Sequence, residues 1–344
     1  MRAMVMAAGL GTRLRPLTYE VPKPMVPVAN RPVIEHLLML LRAHGFEQVI
    51  ANLHWFPETI TGRLGDGSEL GIELVYRHEP ELLGTAGGVR NAGDWLVAED
   101  DTFVVMAGDA LTDIDLGALV AAHRANDGLA TMAVKRVPNV REYGVVVTGP
   151  DGRVEGFQEK PDPAEALSDR ANTMVYVLER EIFELFGDQP DPDFAKDVFP
   201  ALLAADVPFY VHDVDAYWND VGSIDEYLQG NLDVVDGRVG VEPLGALVEA
   251  TADPDEPGEH RLPEPRGGLP AGAELDGRVL VGAGVELGEE VRIDGPAVLG
   301  AGCRIGARSR IRQSVLLPGA EVPPGGYLVG AIAGAEGALT PRDG

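Results

Sequence analysis

The sequence has little cysteine and little positive charge. Cys303 is the only cysteine among 344 residues, which excludes an internal disulfide and predicts a reducing compartment, the cytoplasm. Lys and Arg number 28 against 55 Asp and Glu, a formal net charge of −27. This balance argues against nucleic acid and anionic membranes as partners, because both repel an acidic protein. Anionic small-molecule substrates would therefore need cations placed locally.

Long apolar runs and several catalytic motifs are also missing. No stretch approaches the roughly 18 to 20 apolar residues of a membrane helix, so we expect a soluble protein. The apolar run after Arg2 is too short for a signal peptide and is interpreted as a core strand. The seven histidines show no HExxH spacing, and no Gly-x-Ser-x-Gly or Cys/His pair indicates covalent catalysis. Direct displacement is therefore the simpler chemistry.

Glycine and proline, by contrast, are abundant. The chain has 43 Gly and 26 Pro beside 45% hydrophobic residues, which indicates a folded protein with many turns or a turn-rich repeat. Its length allows two domains. Strand and helix patterns alternate over residues 1–232, as is typical of an α/β domain. We predict a linker over 233–272, whose part 251–270 is crowded with Pro, Glu, Asp and Gly, then a repeat over 273–330 and a tail over 331–344.

Aliphatic residues recur every six positions in the repeat. This period matches neither a helix nor a simple hairpin, but it resembles the hexapeptide repeat of a left-handed parallel β-helix, in which such side chains stack inside the coil. With three hexapeptides per turn, as in that family, the segment makes about two turns and packs on the first domain or on a second subunit, which favours a homo-oligomer. Cys303 belongs to a second inward series and is interpreted as a small core residue. The main series is Val281, Leu287, Ile293, Leu299, Ile305, Ile311 and Leu317.

Local patterns place several elements of the α/β domain. Apolar residues at helical spacing, with Pro32 near the start and Gly45 just past the end, predict a helix over residues 31–45. Asp115 is the predicted cap of a later helix. Residues 149–152, Gly-Pro-Asp-Gly, predict the turn of a hairpin. In open α/β sheets, ligands bind beyond the carboxyl ends of the strands, so we expect the site there.

A glycine-rich loop follows the first predicted strand. Residues 4–25 read MVMAAGLGTRLRPLTYEVPKPM, in which Gly9 and Gly11 let backbone amides approach a phosphate. Arg13 and Lys23 add positive charge that suits a polyphosphate. The loop lacks the third glycine of GxGxxG and the Gly-Lys-Ser/Thr of a Walker loop. Glycines alone would be explained by an ordinary tight turn.

The longer string GLGTRLRPLT, followed by PKPM, resembles the signature of sugar-nucleotide pyrophosphorylases. These nucleotidyltransferases join a nucleoside triphosphate to a sugar 1-phosphate. The resemblance implies a Rossmann-like α/β domain with a mixed sheet. It also implies that Arg13 and Lys23 are catalytic, with Arg13 steadying the leaving pyrophosphate and Lys23 neutralising phosphate charge. The implied nucleotide-binding residues of this loop are Ala8, Gly9, Gly11 and Thr12.

Two aspartates follow predicted strands and are candidate magnesium ligands. Asp109 lies in VVMAGDA, and Asp220 lies in YWNDVGS. Mg²⁺ commonly takes one or two carboxylates together with substrate phosphates. A lone aspartate in such a place is more often a turn or cap, and we assign Asp113 and Asp115 to those roles. Both GD after a hydrophobic strand and W-x-D-x-G resemble the family's two metal-binding aspartates, which implies Mg²⁺ as the cofactor.

The segment HEPELLGTAGG resembles the family's nucleotide-base loop, which implies that Gly84, Thr85 and Gly88 bind the nucleotide. A helix entered through a flexible turn would predict the same local structure. Glu79 stands where thymidylyl- and uridylyl-transferring relatives carry Gln. A carboxylate can accept from both N–H donors on the Watson–Crick edge of guanine, which favours GTP. The alternative is that Glu79 faces solvent.

Residues 159–161, Glu-Lys-Pro, resemble the family's sugar-phosphate motif. The resemblance implies that Lys160 holds the sugar phosphate as a catalytic cation. It implies as well that Glu159 accepts sugar hydroxyls. One departure concerns Met174, since the family often has glycine at that position. The other implied sugar-binding residues are Tyr143, Gly144, Asn172 and Trp218.

The resemblance implies transfer of a nucleotidyl group from a nucleoside triphosphate to a sugar 1-phosphate, with GTP and mannose 1-phosphate preferred. The alternatives within this class are a thymidylyl- or uridylyltransferase acting on glucose 1-phosphate and a guanylyltransferase acting on a heptose phosphate. Outside it, the chain could be an inactive subunit that senses nucleotide sugars. Its combined cations and carboxylates argue against that role, since a sensor need not keep both metal ligands.

Overall fold

The computed structural model describes residues 1–250, 270–334 and 337–339. Contacts divide the chain into two compact units. The first unit combines Met1–Met25 with Leu37–Asp220, and the second combines Val26–His36 with Val221–Gly344. Most of the predicted linker core, 251–269, lies outside the described residues, as do 335–336 and 340–344 of the predicted tail. The predicted domain limits therefore stay a prediction.

Helices and strands alternate through the first two thirds of the chain, and short strands follow. The helices are α1 (Val33–Ala43), α2 (Pro57–Leu64), α3 (Gly84–Asn91), α4 (Gly93–Leu96), α5 (Leu116–Arg124), α6 (Phe199–Ala204) and α7 (Ile224–Val235). Single 3-10 turns lie at Thr12–Leu14, Lys23–Met25, Ser68–Leu70 and Val140–Glu142, a longer 3-10 helix lies at Arg180–Leu185, and a π-helical turn lies at Phe194–Val198.

The strands before the repeat are β1 (Arg2–Met6), β2 (Pro27–Val28), β3 (Arg31–Pro32), β4 (Gln48–Leu53), β5 (Glu73–His78), β6 (Thr102–Ala107), β7 (Leu111–Thr112), β8 (Ala130–Arg136), β9 (Gly144–Thr148), β10 (Val154–Glu159), β11 (Arg170–Glu179), β12 (Phe209–Asp213) and β13 (Trp218–Asn219). The later strands are β14 (Ala246–Ala250), β15 (Glu274–Val281), β16 (Glu286–Leu287), β17 (Arg292–Asp294), β18 (Ala297–Leu299), β19 (Arg304–Ile305), β20 (Arg310–Arg312), β21 (Val315–Leu316), β22 (Glu321–Val322), β23 (Tyr327–Val329), β24 (Ile332–Gly334) and β25 (Gly337–Leu339).

The first unit is built on a nine-stranded mixed sheet, as predicted. Its path runs β10-β9-β11-β6-β1-β4-β5, and β8 joins β12 to β11. The pairs β1–β4, β1–β6 and β4–β5 are parallel, whereas β11 is antiparallel to β6, β8 and β9. Strand β1 is central, and Ala3, Met4 and Val5 are fully buried. A parallel strand covered on both faces needs such an apolar sequence.

The helix predicted over residues 31–45 is shorter than expected. Arg31 and Pro32 form β3, which pairs antiparallel with β2, and α1 begins only at Val33. Gly45 lies past the end of α1 with a φ of +83°, as the sequence predicts. Asp115 caps α5 as predicted, because its Oδ1 accepts from the Ala118 N–H at 2.9 Å. Over the described ranges, no helix is long and apolar enough to cross a membrane.

The second unit contains a coil of short parallel strands, as expected for a β-helix. Three stacks form it: β16-β19-β22, then β17-β20-β23 on the first part of β15, and β18-β21-β24 on its second part. Each strand pairs with the strand one coil turn later. The buried side chains of the coil include Ile293, Leu299, Cys303 and Ile305. Left-handedness and the hexapeptide repeat itself stay predictions.

The six-residue period predicted through Leu317 fails in the last turn. Leu299 pairs with Leu316, 17 residues on, although Ile293 pairs with Ile311, 18 residues on. The cause is the corner before β21, which is one residue shorter than the equivalent corner before Val298 in β18. Leu316 is therefore fully buried, whereas Leu317 is only half-buried.

The second unit also includes α7 and the segment from Val26 to His36. The Tyr227 hydroxyl donates to the Pro27 carbonyl at 2.6 Å, and Asn231 Oδ1 accepts from the Ala29 N–H at 2.8 Å. Sequence patterns placed the residues of α7 up to position 232 in the first domain. Their buried contacts with residues 27–29 were not visible in the sequence, because these segments are about two hundred positions apart.

The register of the last coil turn leads to a prediction. Leu316→Ala should lower the free energy of unfolding by about 2–5 kcal/mol, because it leaves a cavity in the core of the coil. Leu317→Ala is the matched control and should cost less than half as much. Urea denaturation of the two full-length variants measures both values. Equal losses, or a larger loss in Leu317→Ala, would contradict the 17-residue turn.

Candidate active site

Two adjoining cavities, of about 290 and 470 Å³, form one cleft in the first unit. It opens beyond the carboxyl ends of β1 and β6, where Ala8, Gly9 and Asp109 lie. This is the edge at which open α/β sheets bind ligands. The smaller cavity is lined by Glu79 and by residues of the glycine-rich loop. The residues that line both cavities are Lys23, Thr85, Ala107, Asp109, Met174 and Asp193.

Gly11 allows the loop after β1 to close on itself. Its φ is +61°. A Cβ at this position would lie 2.8 Å from Lys23 Cβ, which is closer than a Cβ atom approaches a non-bonded neighbour in real proteins. The Thr18 hydroxyl donates to the Gly11 carbonyl at 2.7 Å and fixes the turn. Gly9 has no such neighbour within 4 Å, so it leaves the backbone open to the cleft.

A buried ammonium group joins the predicted catalytic residues. Lys23 is 7% exposed. Its Nζ donates to Asp109 Oδ2 at 2.7 Å and to the Asp220 carbonyl at 2.8 Å. Arg13 is mostly exposed, and its Nη2 lies 3.3 Å from Asp220 Oδ2. The structure thus brings Arg13, Lys23, Asp109 and Asp220 together, and Lys160 lines the same cleft.

The donor set of this cluster fits magnesium. Asp109 and Asp220 both line the larger cavity. A carboxylate oxygen that accepts one hydrogen bond keeps further lone pairs for a cation. Among the residues that the structure describes, no group of three or more His, Cys, Asp or Glu side chains could hold a metal. Two carboxylates, completed by phosphate oxygens and water, are the usual arrangement for Mg²⁺, so the residues fit that ion.

Glu79 is a buried residue that lines the smaller cavity. It is 1% exposed, so the alternative that it faces solvent is wrong. Its Oε1 accepts from Asn52 Nδ2 at 2.8 Å, and Asn52 Oδ1 in turn accepts from the Ala7 N–H at 2.8 Å. The Leu83 N–H approaches Glu79 Oε2 at 3.4 Å. Asn52 was missed from the sequence, although an amide inside the apolar part of the strand QVIANL was an available signal.

The start of α3 is tied to a distant segment. The Thr85 hydroxyl donates to Asp193 Oδ2 at 3.0 Å and accepts from the Phe194 N–H at 2.9 Å. A Cβ on Gly84 would lie 2.6 Å from the Asp191 carbonyl. These contacts place Gly84, Thr85 and Asp193 on the cleft wall. Sequence reasoning missed Asp193, since nothing local connects it with Thr85.

Gly88 and Thr12 lie outside the lining of both cavities. A Cβ on Gly88 would lie 2.6 Å from Asn52 Nδ2 and 2.9 Å from Glu79 Oε1. Gly88 therefore leaves room for the Asn52–Glu79 pair on the buried side of α3. Its predicted contact with the nucleotide would have to act through these two side chains.

The predicted sugar-binding residues all line the larger cavity. The rings of Tyr143 and Trp218 meet edge to face, with centroids 5.3 Å apart. Gly144 pairs with Glu159 across β9 and β10, and a Cβ on Gly144 would lie 3.1 Å from Glu159 Oε2. The backbone N–H of Lys160 donates to the Tyr143 carbonyl at 3.1 Å. Lys196, which the sequence did not single out, lines this cavity as well.

Asn172 is bound to its own strand. Its Nδ2 donates to the Tyr176 hydroxyl at 2.9 Å, and its Oδ1 accepts from the Met174 N–H at 2.8 Å. Burial raises the pKa of Tyr176 well above its usual range; the hydrogen bond with Asn172 opposes that shift and the charge of Asp193 adds to it. The Tyr176 hydroxyl therefore stays protonated and available to Asn172.

A glycine-rich loop, cations and carboxylates in one cleft of a mixed α/β sheet are typical of proteins that bind phosphorylated ligands. A family model described as nucleotidyl transferase matches residues 2–237. The chain belongs to this family. The resemblance to sugar-nucleotide pyrophosphorylases is thereby confirmed.

Named relatives differ in substrate. The chain is similar to the UTP–glucose-1-phosphate uridylyltransferase of Synechocystis sp., with 41% identity over 67% of this chain and 62% of that protein. It is also similar to the mannose-1-phosphate guanylyltransferase of Mycobacterium tuberculosis, with 35% identity over 85% of this chain and 77% of that protein. The match thus spans less than two thirds of the Synechocystis protein.

A solved structure supports the fold. HddC of Yersinia pseudotuberculosis, crystallised with GMP-PN, superposes with a TM-score of 0.59 at 24% identity, covering 67% of this chain and 97% of that chain. At this level of identity the likeness concerns the fold alone.

The packing around Gly88 leads to a second prediction. Gly88→Ala should lower the free energy of unfolding by about 1–3 kcal/mol, because the added Cβ displaces the Asn52 amide and the Glu79 carboxylate. Gly62→Ala, in α2, is the matched control. Nothing lies within 4 Å of a Cβ there, so it should be neutral or stabilise by up to about 1 kcal/mol. Urea denaturation compares them, and equal stability of the two variants would contradict the packing role.

Proposed function

We propose that this protein transfers a nucleotidyl group from a nucleoside triphosphate to a sugar 1-phosphate, giving a nucleoside diphosphate sugar and pyrophosphate. The preferred substrates are GTP and mannose 1-phosphate. One observation carries the proposal: Lys23 links Asp109 and Asp220 in a cleft of two adjoining cavities, and Lys23 and Asp109 line both of them. That arrangement suits two phosphorylated substrates meeting at one centre.

The proposed reaction is a single displacement. An oxygen of the sugar phosphate attacks the α-phosphorus in line and forms the new P–O bond. The bond from that phosphorus to the bridging oxygen breaks, and pyrophosphate leaves with the electron pair. No general base is needed, because the attacking oxygen is already ionised. Arg13 steadies the pyrophosphate, while Lys23 and Lys160 neutralise phosphate charge, so the protein contributes mainly position and electrostatics.

Asp109 and Asp220 would hold Mg²⁺. When bound, the ion neutralises charge on the phosphate oxygens and helps to orient them. Lys23 fixes one oxygen of the Asp109 carboxylate and the Asp220 backbone, which sets the positions of both residues before substrates arrive. Preorganised charge of this kind needs no rearrangement during the reaction.

Glu79 supports the choice of GTP. Its carboxylate is buried in the smaller cavity and is oriented by the Asn52 amide. Carboxylate oxygens can accept from the N1–H and the amino group of guanine, whereas a pyrimidine N3–H between two carbonyls is served better by an amide. The guanylyltransferase of Mycobacterium tuberculosis, which matches 85% of this chain, supports mannose 1-phosphate as the partner substrate.

Other substrates have support too. The uridylyltransferase of Synechocystis sp. is 41% identical to this chain, which favours UTP with glucose 1-phosphate as the second candidate. Thymidylyl transfer and a heptose phosphate acceptor remain within the same class. A nucleotide-sugar-sensing subunit is the remaining alternative, and the ion pair between the buried Lys23 and the partly exposed Asp109 is more than such a role requires.

The function is tested by measuring pyrophosphate release with Mg²⁺ across GTP, dTTP, UTP, ATP and CTP, each with mannose, glucose and heptose 1-phosphate. We expect the highest turnover with GTP and mannose 1-phosphate, and loss of turnover when a chelator removes the metal. Turnover with dTTP or UTP and glucose 1-phosphate would agree with the proposed mechanism but would contradict GTP as the preferred nucleotide. If folded protein shows no turnover with any pair of substrates, the proposed enzymatic activity is contradicted and the sensing subunit is favoured.

Base selection is tested by Glu79→Gln. The amide loses one acceptor for guanine and gains a donor, so kcat/KM for GTP should fall at least about tenfold relative to UTP or dTTP. Glu81→Gln is the matched control, since Glu81 is exposed and lies outside the cleft lining. Its nucleotide preference should equal that of the wild type. An unchanged preference in Glu79→Gln would show that the base is read by other groups.

A further inference from the structure

Met174 has an unfavourable backbone conformation within strand β11. Its φ is +58°, in the left-handed region that residues other than Gly, Asn and Asp rarely adopt. The pairing of β11 with β8 is irregular at this point. Asn172 and Tyr176, four residues apart, pair with residues of β8 that are only two apart. Glycine would form this bulge without strain, so the methionine needs an explanation beyond the fold.

Side chains on both sides hold the bulge in place. The Met174 N–H donates to Asn172 Oδ1 at 2.8 Å, and the Thr173 hydroxyl donates to the Ala133 carbonyl at 2.7 Å. Asn172 is anchored in turn by the Tyr176 hydroxyl. Bulges re-aim a side chain relative to the regular strand, and this one is fixed by several bonds. The position of Met174 is therefore set by the strand itself.

The Met174 side chain borders the reacting centre of the proposed reaction. It is half-buried and packs against an apolar cluster that contains Tyr176 and Phe194. It lines both cavities, together with Lys23 and Asp109. The nucleotide and the sugar phosphate must meet where the cavities overlap, so each of them passes close to this thioether.

We propose that Met174 selects between sugar 1-phosphates that differ in configuration at C2. This inference rests on the proposed function. C1 carries the reacting phosphate, so the C2 hydroxyl is the sugar hydroxyl nearest the overlap of the two cavities. A thioether donates no hydrogen bond and accepts only weakly. A hydroxyl turned against it loses water without replacement, whereas a C–H at the same place loses nothing.

The test compares the full-length wild type, Met174→Gly and Met174→Ala with mannose 1-phosphate and glucose 1-phosphate, which are C2 epimers. The kcat/KM for mannose 1-phosphate divided by that for glucose 1-phosphate should fall about tenfold or more in both variants, because both remove the thioether. Only Met174→Gly also relieves the left-handed backbone, so it should melt at a higher temperature than Met174→Ala. A role in packing alone would change the melting temperatures and leave the ratio of kcat/KM unchanged.

Arg308→Gly serves as the control for backbone relief. Arg308 has a φ of +63°, is exposed on the coil and is not among the residues that line either cavity. This variant should keep the wild-type ratio. A ratio within about twofold of the wild type in both Met174 variants, with an active wild type, would overturn the inference alone. An inactive wild type with every substrate pair would overturn the proposed function and this inference with it.

Discussion

The buried ammonium of Lys23 is the interaction on which the cleft depends. Three segments that are distant in sequence supply its surroundings. They are the loop after β1, the turn after β6 that contains Asp109, and the backbone at Asp220 after β13. An ammonium group at 7% exposure is costly unless it is paired and hydrogen-bonded. Each segment is therefore held where the other two require it, and the two candidate metal ligands are positioned as a consequence.

The glycines of the motifs act mainly through their neighbours. Gly11 leaves the space that Lys23 Cβ fills, Gly84 lets α3 approach the Asp191 carbonyl, and Gly88 lies under the Asn52–Glu79 pair. Of these four motif glycines, Gly9 alone would have no neighbour within 4 Å of an added Cβ and so faces open space. A sequence motif that suggests direct contact between backbone and ligand is thus largely a motif for close packing of the side chains that line the cleft.

The mixed sheet was implied by the family resemblance. Sequence patterns predicted the α/β domain, the Asp115 cap and a C-terminal coil, because these depend on local periodicity and capping chemistry. They failed where geometry depends on distant segments. The Thr85–Asp193 bond joins residues 108 positions apart, and the burial of Leu316 instead of Leu317 follows from a corner shortened by one residue. Asn52 is an intermediate case, since an amide in an apolar strand was visible in the sequence but its hydrogen bond with Glu79 was not.

The overlap of the two cavities constrains how specificity can be organised. Lys23 and Asp109 provide the charge there, Met174 is apolar, and Asp193 is bonded to Thr85 at the start of α3. Because the same few side chains border both cavities, a change that alters the position of one proposed substrate also alters the environment of the other. Nucleotide choice and sugar choice are then coupled through position at the reacting phosphorus, where a displacement of about 1 Å costs on the order of a hundredfold in rate.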